Sequence, residues 1–240
     1  MTTSESPSWS PDSPHFAAYQ RWKKQHPEQS ATKSGDGLVL LEEREDIALA
    51  EESARHELVK QGLPTEWSKV GLVFEDQYLA ILRDAVRFPN GDLGTYLRVF
   101  PSHLDKTGVA ILPVCQGKVV LLHHFRHATR SWHWEIPRGF GSDRDPEQSA
   151  IAELDEELKA VPTRLIDLGT FHVDSGMLWH EAAVFLAEIP EFRMPADTRE
   201  PIDQVRAVAI ADLERDIADN QITDSFTIVA VARAKLRGLL

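Results

Sequence analysis

The sequence predicts an α+β fold on three observations. Runs alternating β-branched or aromatic residues with polar ones dominate residues 67–100. Two short apolar runs follow, joined at Gln116-Gly117. Helical patterns stand apart from the strands, at 39–61, after Asp145, and from Asp224 to Leu236.

Taken in order, residues 1–36 carry Ser, Pro, Lys and Gln with few large apolar groups. They read as a mobile segment with one short helix around Phe16 to Lys24. The second segment, 37–62, reads as a single helix from Val39 to Gln61, rich in Glu, Ala and Leu and ended by Gly62 and Pro64. An antiparallel β region is expected over 63–104, with Pro89-Asn90-Gly91 turning the chain between two of its strands. The remainder, 105–240, reads as the catalytic domain. Its expected strands are Gly108 to Pro113, Lys118 to His123, Arg164 to Val173, Glu181 to Glu188 and Val205 to Ile210. A last helix starts at an Asp224 N-cap and stops before Gly238.

Composition excludes more than it identifies. With 26 basic and 38 acidic residues, the net charge of −12 argues against a protein that grips a nucleic-acid backbone. An acidic protein that handles phosphates needs a cation between its carboxylates and the substrate. The lone Cys115 sits in an apolar run and reads as an inert core thiol. Met1 to Pro14 have neither the basic nor the apolar region of a signal peptide, and no run approaches the ~18 apolar residues of a membrane span. A cytoplasmic location and no membrane partner are expected.

The chemistry is concentrated in Trp134-Glu135-Ile136-Pro137-Arg138-Gly139-Phe140-Gly141 and the helix after it. Asp145 caps that helix, Pro146 suits its first position, and Gln148 completes an Asp variant of the capping box. Glu153, Glu156 and Glu157 stand at i, i+3 and i+4, so their carboxylates share one helix face. Ile151, Leu154 and Leu158 fall on the opposite side, toward the sheet. Three crowded carboxylates repel one another unless a divalent cation neutralises them. Oxygen ligands at this density suit Mg²⁺ or Mn²⁺ better than zinc. Taken alone, a Glu triplet is more often a solvated helix face than a metal site.

The context changes that reading. "WEIPRGFG…PEQSAIAELDEEL" resembles the Nudix box, GX5EX7REUXEEXGU, in the form found in the ADP-ribose pyrophosphatase group. The resemblance extends to residues 67–100, to the strand Leu121 to Arg126, to Glu181 through Ala187, and to Ile222-Thr223-Asp224. The first 60 or so residues have no counterpart. It implies a mixed sheet sandwiched between helices, an N-terminal antiparallel β region that pairs two subunits into a homodimer, and Mg²⁺ or Mn²⁺ as cofactor. The implied activity is hydrolysis of the pyrophosphate of ADP-ribose or a related nucleoside diphosphate sugar to two monophosphates.

Carried over by position, Glu153, Glu156 and Glu157 become the metal ligands and catalytic acids. A backbone carbonyl in the Pro137-Arg138-Gly139 turn, taken at Arg138, is a further ligand. Arg126, Arg138 and Glu135 are expected at the substrate. A general base or extra ligand on a later loop is expected at Glu200, with Glu181 as the other candidate.

The box is degenerate in three places. The family Arg that braces a neighbouring Glu is Ala152, the segment after the loop glycine is one residue short so that Asp145 only approximates the first Glu, and the closing Gly is Lys159. A catalytically weak domain acting as a ligand sensor or scaffold is therefore the alternative, with a purely structural protein behind it. His123, His124, His127 and His133 repeat no zinc spacing, though one or two can line the pocket. Trp132 and Trp134 read as core.

Overall fold

The computed structural model describes residues 13–31, 37–102, 104, 106–140, 145–194 and 200–240. The chain divides into two compact units, Met1–His103 with Gly176–Trp179, and Leu104–Ser175 with His180–Leu240. No helix among the described residues is long and apolar enough to cross a membrane.

In the first unit, helix α1 (Pro14–Gln25) is capped by the Ser13 hydroxyl, which accepts the Phe16 N–H at 3.1 Å. Its buried face carries Phe16, Tyr19 and Trp22. The short helix expected around Phe16 to Lys24 is thus present, running from Pro14 to Gln25, and it packs through three aromatics at helical spacing. In the rest of that segment Pro27–Gln29 form a single 3-10 turn, and 1–12 and 32–36 lie outside the described residues.

A correction concerns 39–61. Val39–Leu40 form a short strand, β1, and the helix, α2, runs only from Arg44 to Gln61, closed by Gly62 in the left-handed conformation. The sheet is antiparallel: β3 (Leu79–Arg87) pairs with β2 (Gly71–Glu75), with β1, and with β4 (Leu93–Pro101). The turn at Pro89-Asn90-Gly91 joins β3 to β4 as expected. At the centre, Asp84 is buried and satisfied by the Tyr19 hydroxyl at 2.7 Å and Arg98 Nε at 2.5 Å.

The second unit holds a mixed sheet of β5 (Gly108–Cys115), β6 (Lys118–Arg126), β7 (Ser131–Glu135), β8 (Arg138–Gly139), β9 (Arg164–His172), β10 (Glu181–Glu188) and β11 (Ile202–Ala209). The path runs β11-β6-β5-β10-β9, with β7 beside β6 and β8 beside β5. The β5–β10 pair is parallel and the other pairings are antiparallel. Gln116 and Gly117 both take positive φ, 50° and 74°, the turn that a two-residue hairpin between β5 and β6 requires.

Strand periodicity sorts the core into two layers. Val109, Ile111, Val120, Leu122, Ala183, Phe185 and Ala187 point to one face and pack on Ala150, Leu154 and Leu158 of α3 (Pro146–Leu158). Ala110, Leu112, Val119, Leu121, Ala182, Val184 and Leu186 point to the other. That face is covered by Leu213 of α4 (Ile210–Ala218) and by Phe226, Ala230, Val231 and Ala234 of α5 (Ser225–Leu236). Helix α4 has no counterpart among the elements expected from sequence, where a strand ends at the residue that begins it. Cys115 is a buried free thiol, as expected.

Helix α3 starts as its capping residues dictate, Asp145 accepting the Gln148 N–H at 2.8 Å. It ends at Lys159 with φ 48° and ψ 39°, where an L side chain crowds the following carbonyl at a cost of about 1 kcal/mol. Lys159→Gly, which places here the closing glycine of the box that the sequence resembles, should therefore stabilise the protein by about 1 kcal/mol in urea unfolding. A variant no more stable than wild type would show the strain to be absent.

Candidate metal and pyrophosphate site

The three glutamates of α3 meet different environments. Ala150, Leu154 and Leu158 form the stripe pressed on the sheet, and Ile151, beyond its edge, is 42% exposed rather than packed. On the other side of the stripe, Glu157 is drawn under with 5% exposure, Glu153 is half-buried and Glu156 is exposed. At 100° per residue, Glu157 lies about 40° to one side of Glu153 and Glu156 about 60° to the other, so the sheet covers one flank of the acid stripe and leaves the other open.

These positions set the electrostatics. Burial, reinforced by the facing Glu200 and by Glu153, pushes the Glu157 carboxyl up to about 9. Burial with the charges of Glu156 and Glu200 pushes Glu153 up to about 7. Among the described residues, neither Oε of Glu157 meets a hydrogen-bond donor. An orphaned buried carboxylate is costly unless something cationic occupies the space before it. This donor set therefore fits a divalent ion.

Gly139 shows how closely the preceding strand is fitted to this helix. A Cβ on it would fall 1.8 Å from Glu153 Oε1 and 2.3 Å from its Cδ, so only glycine leaves room for the carboxylate. Because the obstructed atoms end a flexible side chain, Gly139→Ala should displace Glu153 without unfolding the protein. Divalent-ion affinity should fall about tenfold and turnover about 100-fold, with stability changed by no more than about 1 kcal/mol. Calorimetric titration and urea unfolding measure the two effects; loss of stability without loss of affinity would mean that the glycine serves packing alone. In the same turn the Pro137 carbonyl is taken by the Ile111 N–H at 2.9 Å, so it is not the carbonyl left for an ion.

Glu135 departs from expectation. It is 1% exposed and grips Arg126 through two hydrogen bonds, from Nη2 to Oε1 and from Nε to Oε2, the second at 3.2 Å. Arg138 Nη2 lies 3.5 Å from Glu135 Oε2 and 3.5 Å from Asp224 Oδ1, with its guanidinium 4.3 Å from the Phe226 ring centroid. Burial alone would raise the Glu135 carboxyl, but contacts with His124 and Arg126 and the charges of Arg138 and Arg126 override it and hold it down at about 2. A carboxylate so enclosed cannot reach a substrate. Its place is beneath the site, fixing two arginines that do line it.

A cleft of about 370 Å³ collects Arg126, Arg138, Gly139, Glu153, Glu156 and Glu200, with Val109, Phe140, His180 and Phe226 completing its wall. Glu200 thus joins the acids of α3, whereas Glu181 is exposed at the start of β10, accepts the Thr170 hydroxyl, and is absent from the cleft lining. His180 and Phe226 escape sequence reasoning because no spacing links them to the box, whereas Phe140 lies within the box stretch but has no role assigned from its residue type.

The four histidines are dispersed. His123 pairs with Asp203 at 2.6 Å and stacks between Trp132 and Trp134, His127 contacts Arg130, and His133 contacts Thr129 and Ser131. Only His124 reaches the acids, its Nε2 3.6 Å from Glu200 Oε2. Trp132, expected in the core, is 44% exposed, whereas Trp134, on the same face of β7, packs against the core.

Two curated proteins and a solved structure are similar to this chain. The ADP-ribose pyrophosphatase of Bacillus subtilis (strain 168) is 26% identical over 173 residues, which span 70% of this chain and 91% of the relative. The CMP-5'-(N-acetyl-N-hydroxy-3-aminopropyl)phosphonate hydrolase of Streptomyces rubellomurinus (strain ATCC 31215) is 28% identical over 120 residues, 49% of this chain and 56% of the relative. No family model matches the chain. A crystal structure of an ADP compounds hydrolase superposes with a TM-score of 0.59 at 19% identity, covering 72% of this chain and 95% of that one, so the two share a fold.

Proposed function

We propose, from the chain's relationship to the ADP-ribose pyrophosphatase group of Nudix hydrolases, that it hydrolyses the pyrophosphate of ADP-ribose or a related nucleoside diphosphate sugar to two monophosphates. The observation that carries this reading is the convergence of Glu153, Glu156 and Glu200 with Arg126 and Arg138 on one cleft, next to the buried Glu157 carboxyl, which meets no donor among the described residues.

Glu153, Glu156 and Glu157, with a carbonyl at Arg138 or Gly139, would hold Mg²⁺ or Mn²⁺. Such an ion, when bound, neutralises phosphate charge and makes water a better nucleophile. The rest is done by the chain's own groups. Arg126 and Arg138, kept in place by Glu135, present cationic charge to the phosphate oxygens, where positioning and electrostatics account for most of the rate enhancement. Glu200 stands at the cleft with a carboxylate able to accept a proton from the attacking water. Phe140, 84% exposed and 5.9 Å from the His180 ring, gives the entrance an aromatic surface.

The test is a panel of nucleoside diphosphate sugars incubated with purified protein and Mg²⁺ or Mn²⁺, the products separated chromatographically. Two monophosphates are expected from at least one of them. No turnover of any, together with ligand-dependent thermal stabilisation, would favour the sensor alternative; Ala152, where the family carries a bracing Arg, and Lys159, where it carries the closing Gly, supply its specific support. The homodimer implied by the resemblance and a cytoplasmic location belong to the same reading, and sedimentation equilibrium tests the first.

A further inference from the structure

We propose that His124, Glu157 and Glu200 form a second cation position of mixed nitrogen and oxygen donors, sharing Glu157 with the all-oxygen position of Glu153 and Glu156 and selective for a first-row transition ion over Mg²⁺. The inference rests on the functional reading above and adds a ligand that the box does not contain.

Three elements far apart in sequence build the position. His124 projects from β6, Glu157 from α3 and Glu200 precedes β11, and one donor atom of each lies within 4.8 Å of the other two. Donors that share an ion at 2.0–2.2 Å are separated by at most about 4.4 Å, so a small inward movement on binding closes the set. Each carboxylate needs to give only one oxygen. The second oxygen of Glu200 can then still accept a proton from water.

Two independent features point to an ion here. Glu157 is 5% exposed and, among the described residues, both its oxygens lack a donor. His124 is 3% exposed, and its Nδ1 lies 3.3 Å from Oε1 of the buried Glu135, at ion-pair distance. Metal-binding histidines are typically oriented by a carboxylate on the far nitrogen, which fixes the tautomer with Nδ1 protonated and turns the Nε2 lone pair toward the metal. The Nε2 of His124 faces Glu200 at 3.6 Å. An imidazole donor changes selectivity, because Mg²⁺ prefers oxygen and water whereas Co²⁺, Ni²⁺ and Zn²⁺ bind nitrogen well.

The competing explanation is an imidazolium held between Glu135 and Glu200 with no ion. Full-length protein titrated with Co²⁺ alone and with Mg²⁺ alone separates the two, read by calorimetry and by the visible d–d absorption of Co²⁺. Expected for wild type is Co²⁺ binding at least about 100-fold tighter than Mg²⁺, with a spectrum showing nitrogen ligation. His124→Gln, which keeps size and polarity, should weaken Co²⁺ at least tenfold, shift its spectrum and narrow the Co²⁺/Mg²⁺ ratio. His123→Gln, on the neighbouring residue but paired with Asp203, should leave all three unchanged. Co²⁺ affinity and spectrum that survive His124→Gln but are lost in Glu157→Gln would overturn the mixed-donor site while leaving the hydrolase reading intact. Failure of wild type to bind any divalent ion would overturn both.

Discussion

Glu157→Gln should abolish turnover while making the metal-free protein more stable. Removing a carboxylate from the centre of the proposed ion site forfeits several kcal/mol of transition-state stabilisation, or about 10³-fold in rate. The stability gain follows from proton linkage. In the fold the Glu157 carboxyl sits at about 9 against 4.5 when exposed, so between those pH values the native state retains a proton that the unfolded chain releases. Native stability therefore declines as pH rises through that window, and Glu153, raised to about 7, adds to the decline over its lower half. Gln carries no such penalty. At pH 8 without metal the variant should be more stable by about 2 kcal/mol, well below the ceiling of about 1.36 kcal/mol for every pH unit by which the folded and exposed values differ. A divalent ion should reverse the order, stabilising wild type and not the variant. Urea unfolding at pH 5, 7 and 8.5, with and without Mn²⁺, measures each part. Retained turnover, or superimposable stability–pH curves, would remove Glu157 from the site.

The second large effect is expected beneath the site. Glu135→Gln leaves Arg126 and Arg138, both mostly buried, without the carboxylate that compensates them, and the loss of one member of such a buried network costs about 3 kcal/mol. For a chain of this size that lowers the melting temperature by about 8 °C. The pH dependence has the opposite sign to that of Glu157. A carboxyl depressed to about 2 contributes stability above its exposed value of 4.5 and loses it as pH falls toward 2, so wild type should be markedly acid-sensitive in that range and the variant less so. Turnover should fall as well, because the guanidiniums lose their orientation. A variant with wild-type melting and altered KM alone would return Glu135 to the substrate-contacting role that the resemblance implies.

Much of the fold is legible because it is written locally. The cap at Asp145, the turn at Gln116-Gly117, the N-cap at Asp224 and the continuous apolar runs of β5 and β10 each depend on residues within a few positions of one another. Where local signals overlap, the sequence misleads. The alternating pattern of β11 runs directly into α4 and hides the helix, and Val39 reads as helical because the apolar stretch continues without a breaker.

For the site, sequence alone determined that Glu153, Glu156 and Glu157 share a helix face and that Gly139 precedes them in a strand-to-helix turn, since 3.6 residues per turn fixes those relations whatever surrounds the helix. Only tertiary packing decided their inequality. The sheet covers the flank bearing Glu157, strips it of water and leaves Glu156 exposed. Packing also sank Glu135 beneath two arginines and brought His124 and Glu200 from remote segments to the buried carboxylate. Spacing fixes angles about one axis, whereas desolvation and the convergence of charges depend on what the rest of the chain places against it.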